Sequence, residues 1–143
     1  SSDVCSSDLM KKLSLIVLSM FAATAANAAE LSGTWLTKDS NAKVAFEPCG
    51  DKTCAKFVWL KDDSNAKPSL DTNNDNPKLR TRRILGLRFG EFAKRAGGWQ
   101  GSVYNPNDGQ NYQTEIKVLG DKQLEIKGCA GPLCDSETWK RID

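Results

Sequence analysis

Few residues in this chain have types and spacings suited to chemistry, and the missing ones narrow the field. Among its 143 residues there is no histidine. That excludes Ser-His-Asp and Cys-His nucleophilic systems and any imidazole-ligated zinc or haem. Glu47, Glu115 and Glu125 alternate with lysines on strand-like runs. A solvated outer face explains them better than acid–base work, which needs a facing carboxylate pair. Asp71-x-Asn73-x-Asp75 imitates the start of a calcium loop. However, Asn76 stands where Gly must make the sharp turn, and Arg82 where a closing Glu would ligate. The segment reads as a turn-rich loop. With no catalytic or cofactor motif, the expectation is a non-enzyme with no metal and no cofactor.

Four cysteines form two Cys-x4-Cys clips, Cys49 with Cys54 and Cys129 with Cys134. Three disulfide pairings are formally possible, and a zinc site of four thiolates is chemically allowed. Each clip brackets a turn, Gly50-Asp51 or Gly131-Pro132, between two strand-like runs. Cysteines facing across a hairpin lie within the Cα separation a disulfide tolerates. Pairing within each clip is therefore expected, contributing roughly 2 kcal/mol per bridge. A cross-pairing closing a longer loop would give about 4.5 kcal/mol, but geometry favours the short clips. The Cys-x-x-Cys of thioredoxin-like redox chemistry is absent.

Binding candidates come from charge and aromaticity. Residues 78–95 hold Lys78, Arg80, Arg82, Arg83, Arg88, Lys94 and Arg95 against Glu91 alone, directly after an Asp-rich stretch at 61–77. Pairing between these neighbours is the plain reading. The functional one is a rim attracting an anionic ligand, a lipid headgroup or an envelope protein. Arg80 and Arg82 are best placed for it, at the end of the longest loop. Trp59, Trp99 and Tyr104 are the aromatic candidates for ligand contact, although aromatic side chains can equally fill a small barrel.

The elements that must position these residues begin after two segments to set aside. Residues 1–9, including Cys5, resemble translated adapter DNA. Met10-Lys11-Lys12, an apolar run from Leu13 to Ala26, and Ala26-Asn27-Ala28 form the charged, hydrophobic and small-residue regions of a secretory signal over 10–28. That run is too short for a comfortable membrane span of about 20 residues. No cysteine follows the cleavage point to take a lipid. Residues 29–143 then form one mature domain, expected in the periplasm or secreted, monomeric, and without a stable membrane span. A domain of this size buries roughly 65% of its unfolded surface. A net charge of +2 gives no argument for nucleic acid.

Within 29–143 alternation of period two dominates. Val44 and Phe46 share a face, as do Phe57 and Trp59, then Trp99, Gly101 and Val103, and Thr114, Ile116 and Val118, with Leu124 and Ile126 repeating the pattern. Gly90 is placed to form a bulge returning Phe92 inward. Pro106-Asn107-Asp108-Gly109 is a turn. About eight short strands joined by tight loops close most economically as an up-and-down antiparallel barrel. The exception is a long Asp/Asn-rich loop, where Asn76-Pro77 reads as the cap and first residue of a brief helical turn.

Gly33-Thr34-Trp35 on the first strand and Arg141 on the last resemble the calycin superfamily, which includes the lipocalins. Further strings make the likeness specific: Glu47-Pro48-Cys49-Gly50, Val58-Trp59-Leu60, Asn73-Asn74-Asp75-Asn76-Pro77, Ile84-Leu85-Gly86-Leu87, Gly97-Gly98-Trp99, Tyr104-Asn105-Pro106 and Lys127-Gly128-Cys129. In that order they resemble the bacterial exported family catalogued as domain of unknown function 2147. The resemblance implies a calycin-like barrel, an exported location, and Trp35 plugging one end beneath the Arg141 cation. It carries over no catalytic residue. The function then expected is binding of a small apolar or amphipathic ligand. Interaction with an envelope protein through residues 62–95 is the alternative.

Overall fold

Alternation along each strand becomes alternation of inside and outside around a closed ring. The computed structural model describes residues 30–143, so the expected adapter and signal segments lie outside the described residues. Eight strands follow in chain order: β1 (Gly33–Leu36), β2 (Ala42–Cys49), β3 (Lys52–Leu60), β4 (Arg88–Arg95), β5 (Gly98–Asn105), β6 (Gln110–Val118), β7 (Gln123–Ala130) and β8 (Leu133–Arg141). Each pairs antiparallel with the next, and β1 returns to β8 to close the barrel. Closure leaves no free strand edge. The fold is the eight-stranded antiparallel barrel that the sequence pattern predicts.

The connections divide between two poles. The hairpins β2–β3, β4–β5 and β6–β7 and both ends of the barrel chain gather at one pole. The β1–β2, β5–β6 and β7–β8 turns and the long β3–β4 loop gather at the other. Toward the first pole the interior is filled by Trp35, Phe46, Phe92, Trp99, Ile116 and Leu124, all buried. The Phe46 ring lies 6.0 Å from that of Phe92 and 6.3 Å from that of Trp139. This pole is sealed by Trp35, whose indole N–H donates to the Ser32 carbonyl at 2.9 Å. The Arg141 guanidinium lies 4.6 Å from its ring centroid, as the resemblance implied. Gly33 permits that approach: its φ is +82°, and a Cβ there would come within 2.6 Å of Arg141 Nη1.

Two bulges reset which side chains face inward. Ala55 opposes Gly90 but Lys56 opposes Arg88, leaving Phe89 as the extra residue. Phe89 and Phe92 can therefore both be buried although they stand three apart. The sequence pattern places this bulge at Gly90, one residue from the observed Phe89. It misses the second. Val44 opposes Phe57 while Lys43 opposes Trp59, so Val58 is the additional residue and Trp59 swings to the outer face. The expected common face of Phe57 and Trp59 does not exist. Phe57 packs inward, and Lys43 Nζ sits 5.0 Å from the Trp59 ring centroid outside.

Both disulfides form within their clips. Cys129 directly opposes Cys134, with Cα atoms 4.0 Å apart. Cys49 opposes Lys52, so its bond to Cys54 is diagonal and spans 5.8 Å between Cα atoms. The expected short 3-10 turn covers Pro77–Leu79, capped by Asn76, whose side chain accepts from the Lys78 N–H at 3.1 Å.

Candidate functional site

The second pole is open. Inside it lies a cavity of about 680 Å³. Its apolar surface comes from Phe57 and Leu60 on β3, Phe89 on β4, Val103 on β5, Ile126 on β7 and Trp139 on β8, with Ile84 from the long loop. The Phe57 and Phe89 rings stack with centroids 4.0 Å apart. Thr37, Asn41, Asn105 and Asn107 bring polar groups to the rim, and Thr114 and Tyr112 line the wall from β6.

Acidic side chains mark this cavity. Asp135 and Glu137 precede buried Trp139 by four and two residues on β8, and alternation sets all three on the inner face. Glu137 Oε1 accepts the Trp139 indole N–H, which fixes it as inward. Asp39 and Asp62 add two carboxylates from the loops, and Lys61 is the cation among the lining residues. Alternation in the sequence turns Glu47, Glu115 and Glu125 outward, whereas Asp135 and Glu137 face in. The available signal was position: counting back by twos from an inward Trp139 gives Glu137 and Asp135.

The long loop forms part of the mouth and is held down by a buried polar cluster. Asp71 is fully buried. Its Oδ1 accepts from the Tyr104 hydroxyl at 2.6 Å, and its Oδ2 from Asn74 Nδ2 and Arg82 Nε, both at 2.8 Å. Asp71 N–H also donates to the Arg82 carbonyl at 3.0 Å. Burial pushes the Asp71 pKa up, but the bonds from Tyr104, Asn74 and Arg82 and the Arg82 charge outweigh it, so the net shift is downward. Burial and then Asp71 raise the Tyr104 phenol pKa. Further along, Asn73 Nδ2 donates to the carbonyls of Pro106, at 3.2 Å, and Asn107, at 2.9 Å, tying the loop to the β5–β6 turn.

The five contact candidates therefore separate. Arg80, Arg82 and Tyr104 come together around this cluster: Arg80 Nε donates to the Asn74 carbonyl at 2.7 Å, and the Arg82 guanidinium lies 5.4 Å from the Tyr104 ring centroid. Neighbouring Arg83 pairs with Asp63 at 2.7 Å, as the charge pattern suggested. Trp59 is on the outer face and Trp99 in the core. Of the five, Tyr104 lines the cavity. Glu47 and Glu115 are indeed outward, within 3.2 and 3.9 Å of Lys56 and Lys127. Among the described residues no His, Cys, Asp and Glu cluster could hold a metal ion.

No curated protein matches the chain. Among solved structures it is similar to protein HP1028 from Helicobacter pylori, described as belonging to the lipocalin family. The TM-score is 0.71 at 28% sequence identity, over 81% of this chain and 85% of that one. Residues 33–141 match the family model described as "Uncharacterized protein conserved in bacteria (DUF2147)". The match spans the barrel from Gly33 at the sealed pole to Arg141 on the closing strand, and the chain belongs to the DUF2147 family of bacterial proteins.

Proposed function

We propose that the chain is exported from the bacterial cytoplasm, and that residues 29–143 act in the periplasm as a non-catalytic binding module for a small apolar or amphipathic molecule. One observation carries this reading: the barrel is hollow at its open pole, with an aromatic floor under a polar rim. A volume of about 680 Å³ falls among small-molecule sites, which span about 300–1,000 Å³. Eight strands suffice to hold one small ligand. Two disulfides suit an oxidising compartment. The alternative, a module contacting an envelope protein through residues 62–95, draws less support, because Arg82 and Arg83 are engaged by Asp71 and Asp63.

Native mass spectrometry of the protein purified from the periplasm without detergent tests the proposal. The expected species begins at Ala29, is four hydrogens lighter than the reduced chain, and carries a small molecule released by collisional activation. A bare polypeptide that also takes up no neutral hydrophobic fluorophore would overturn the binding reading. A stoichiometric protein partner in place of a small molecule would support the alternative.

A further inference from the structure

We propose that the cavity selects amphiphiles with a cationic head, a primary alkylammonium or a quaternary ammonium, over those with an anionic head. The inference rests on the binding reading above and adds the charge of the ligand.

The chain as a whole carries a net +2, but the cavity has the opposite sign. Asp39, Asp62, Asp135 and Glu137 line it against Lys61. Lys61 aside, the arginines that would invite an anion are engaged elsewhere. Arg82 and Arg83 pair with Asp71 and Asp63, Arg80 is turned onto the Asn74 carbonyl, and Arg141 covers Trp35 at the sealed pole. A concave mouth dominated by one sign focuses its field on whatever enters.

Position matters as much as sign. Glu137 stands between the acidic rim and the aromatic floor. One of its oxygens accepts the Trp139 indole N–H, a neutral donor that leaves the carboxylate charge uncompensated. Among the described residues no cation lies within ion-pairing distance of it. Trp139 follows it two residues deeper on β8, and Phe57 and Phe89 line the same cavity. An uncompensated carboxylate beside aromatic surface attracts an ammonium through charge and ring quadrupole together. An apolar tail would then rest on Phe57, Phe89 and Ile126, whereas a carboxylate or phosphate head would meet four carboxylates against the single Lys61 cation.

Calorimetric titration at low ionic strength with three probes of one tail length tests this: dodecyltrimethylammonium, dodecyl maltoside and dodecanoate, each below its critical micelle concentration. The expected order places the ammonium at least about tenfold tighter than dodecanoate. Glu137→Gln keeps an acceptor for Trp139, so it should shrink that advantage to within about threefold, with dodecyl maltoside as the neutral reference. If Glu137→Gln loses maltoside binding as well, the exposed-rim double variant Asp39→Asn/Asp62→Asn carries the same comparison. Dodecanoate binding as tightly as the ammonium overturns the charge inference and leaves the binding reading standing. A cation preference untouched by either variant also overturns it. Failure of all three probes overturns both.

Discussion

Asp71 shows how one residue can fasten a long loop. Its carboxylate has three side-chain donors and no exposure, so its charge is tolerated only while those donors remain. Asp71→Asn keeps the shape but removes the charge facing Arg82. Losing one partner of a fully buried pair costs about 3–5 kcal/mol. The Arg82 side chain is about one-third exposed and regains water, so the expected loss is about 2 kcal/mol, measurable by urea denaturation. The acid response follows from the sign of the shift. A carboxylate whose pKa is lowered on folding contributes stability above its unfolded value, about 3.9, and loses it as pH falls through the folded value. The loop should stay fastened at neutral and mildly acid pH and release only below about pH 4. Asp71→Asn should show a smaller acid-induced loss than the parent over that range. None of this was visible in Asp71-x-Asn73-x-Asp75, which reads as solvated turn. The donors Tyr104 and Arg82 lie 33 and 11 residues away, so burial was set by tertiary contact rather than local pattern.

At the scale of elements, the loop and the β5–β6 turn interlock. Gly109 has φ +74°, and a Cβ there would collide with the Asn73 carbonyl oxygen. Gly109→Ala therefore combines a left-handed backbone penalty with a lost approach, and should destabilise by at least about 1–2 kcal/mol. Amide exchange should show the effect concentrated in residues 70–76 rather than spread around the barrel. The two clipped hairpins make a contrasting case. Each disulfide closes a connection already held by its ladder. Reduction should therefore lower stability by about 2 kcal/mol per bridge while leaving the far-ultraviolet circular dichroism of a β barrel unchanged. Hairpins of this kind are legible in sequence because alternation, turn residues and cysteine spacing agree. Bulges are legible only in part. Gly90 marked the one at Phe89, whereas Val58 has ordinary strand character, and nothing local announces that Trp59 will turn outward.

For the whole molecule, the barrel has a seam. β1 meets β8 only through Trp35–Arg141 and Leu36–Lys140, with Ile142 N–H donating to the Thr34 carbonyl at 3.0 Å and Thr34 N–H to Asp143 Oδ2 at 2.7 Å. β5 and β6 are laddered continuously from Trp99–Ile116 to Asn105–Gln110. Native-state hydrogen exchange should open the seam first, with its amides exchanging about tenfold or more faster than those shared by β5 and β6. Equal protection at the two places would show that the Arg141–Trp35 seal makes closure as strong as the longer ladders. The seam also sets an orientation. Gly33 and Asp143 meet beside Trp35 at the sealed pole, and the cavity opens at the other. Any anchor, fusion partner or surface linker attached to either end would thus hang the barrel like a cup by its base, leaving its mouth unobstructed and pointing away from the support.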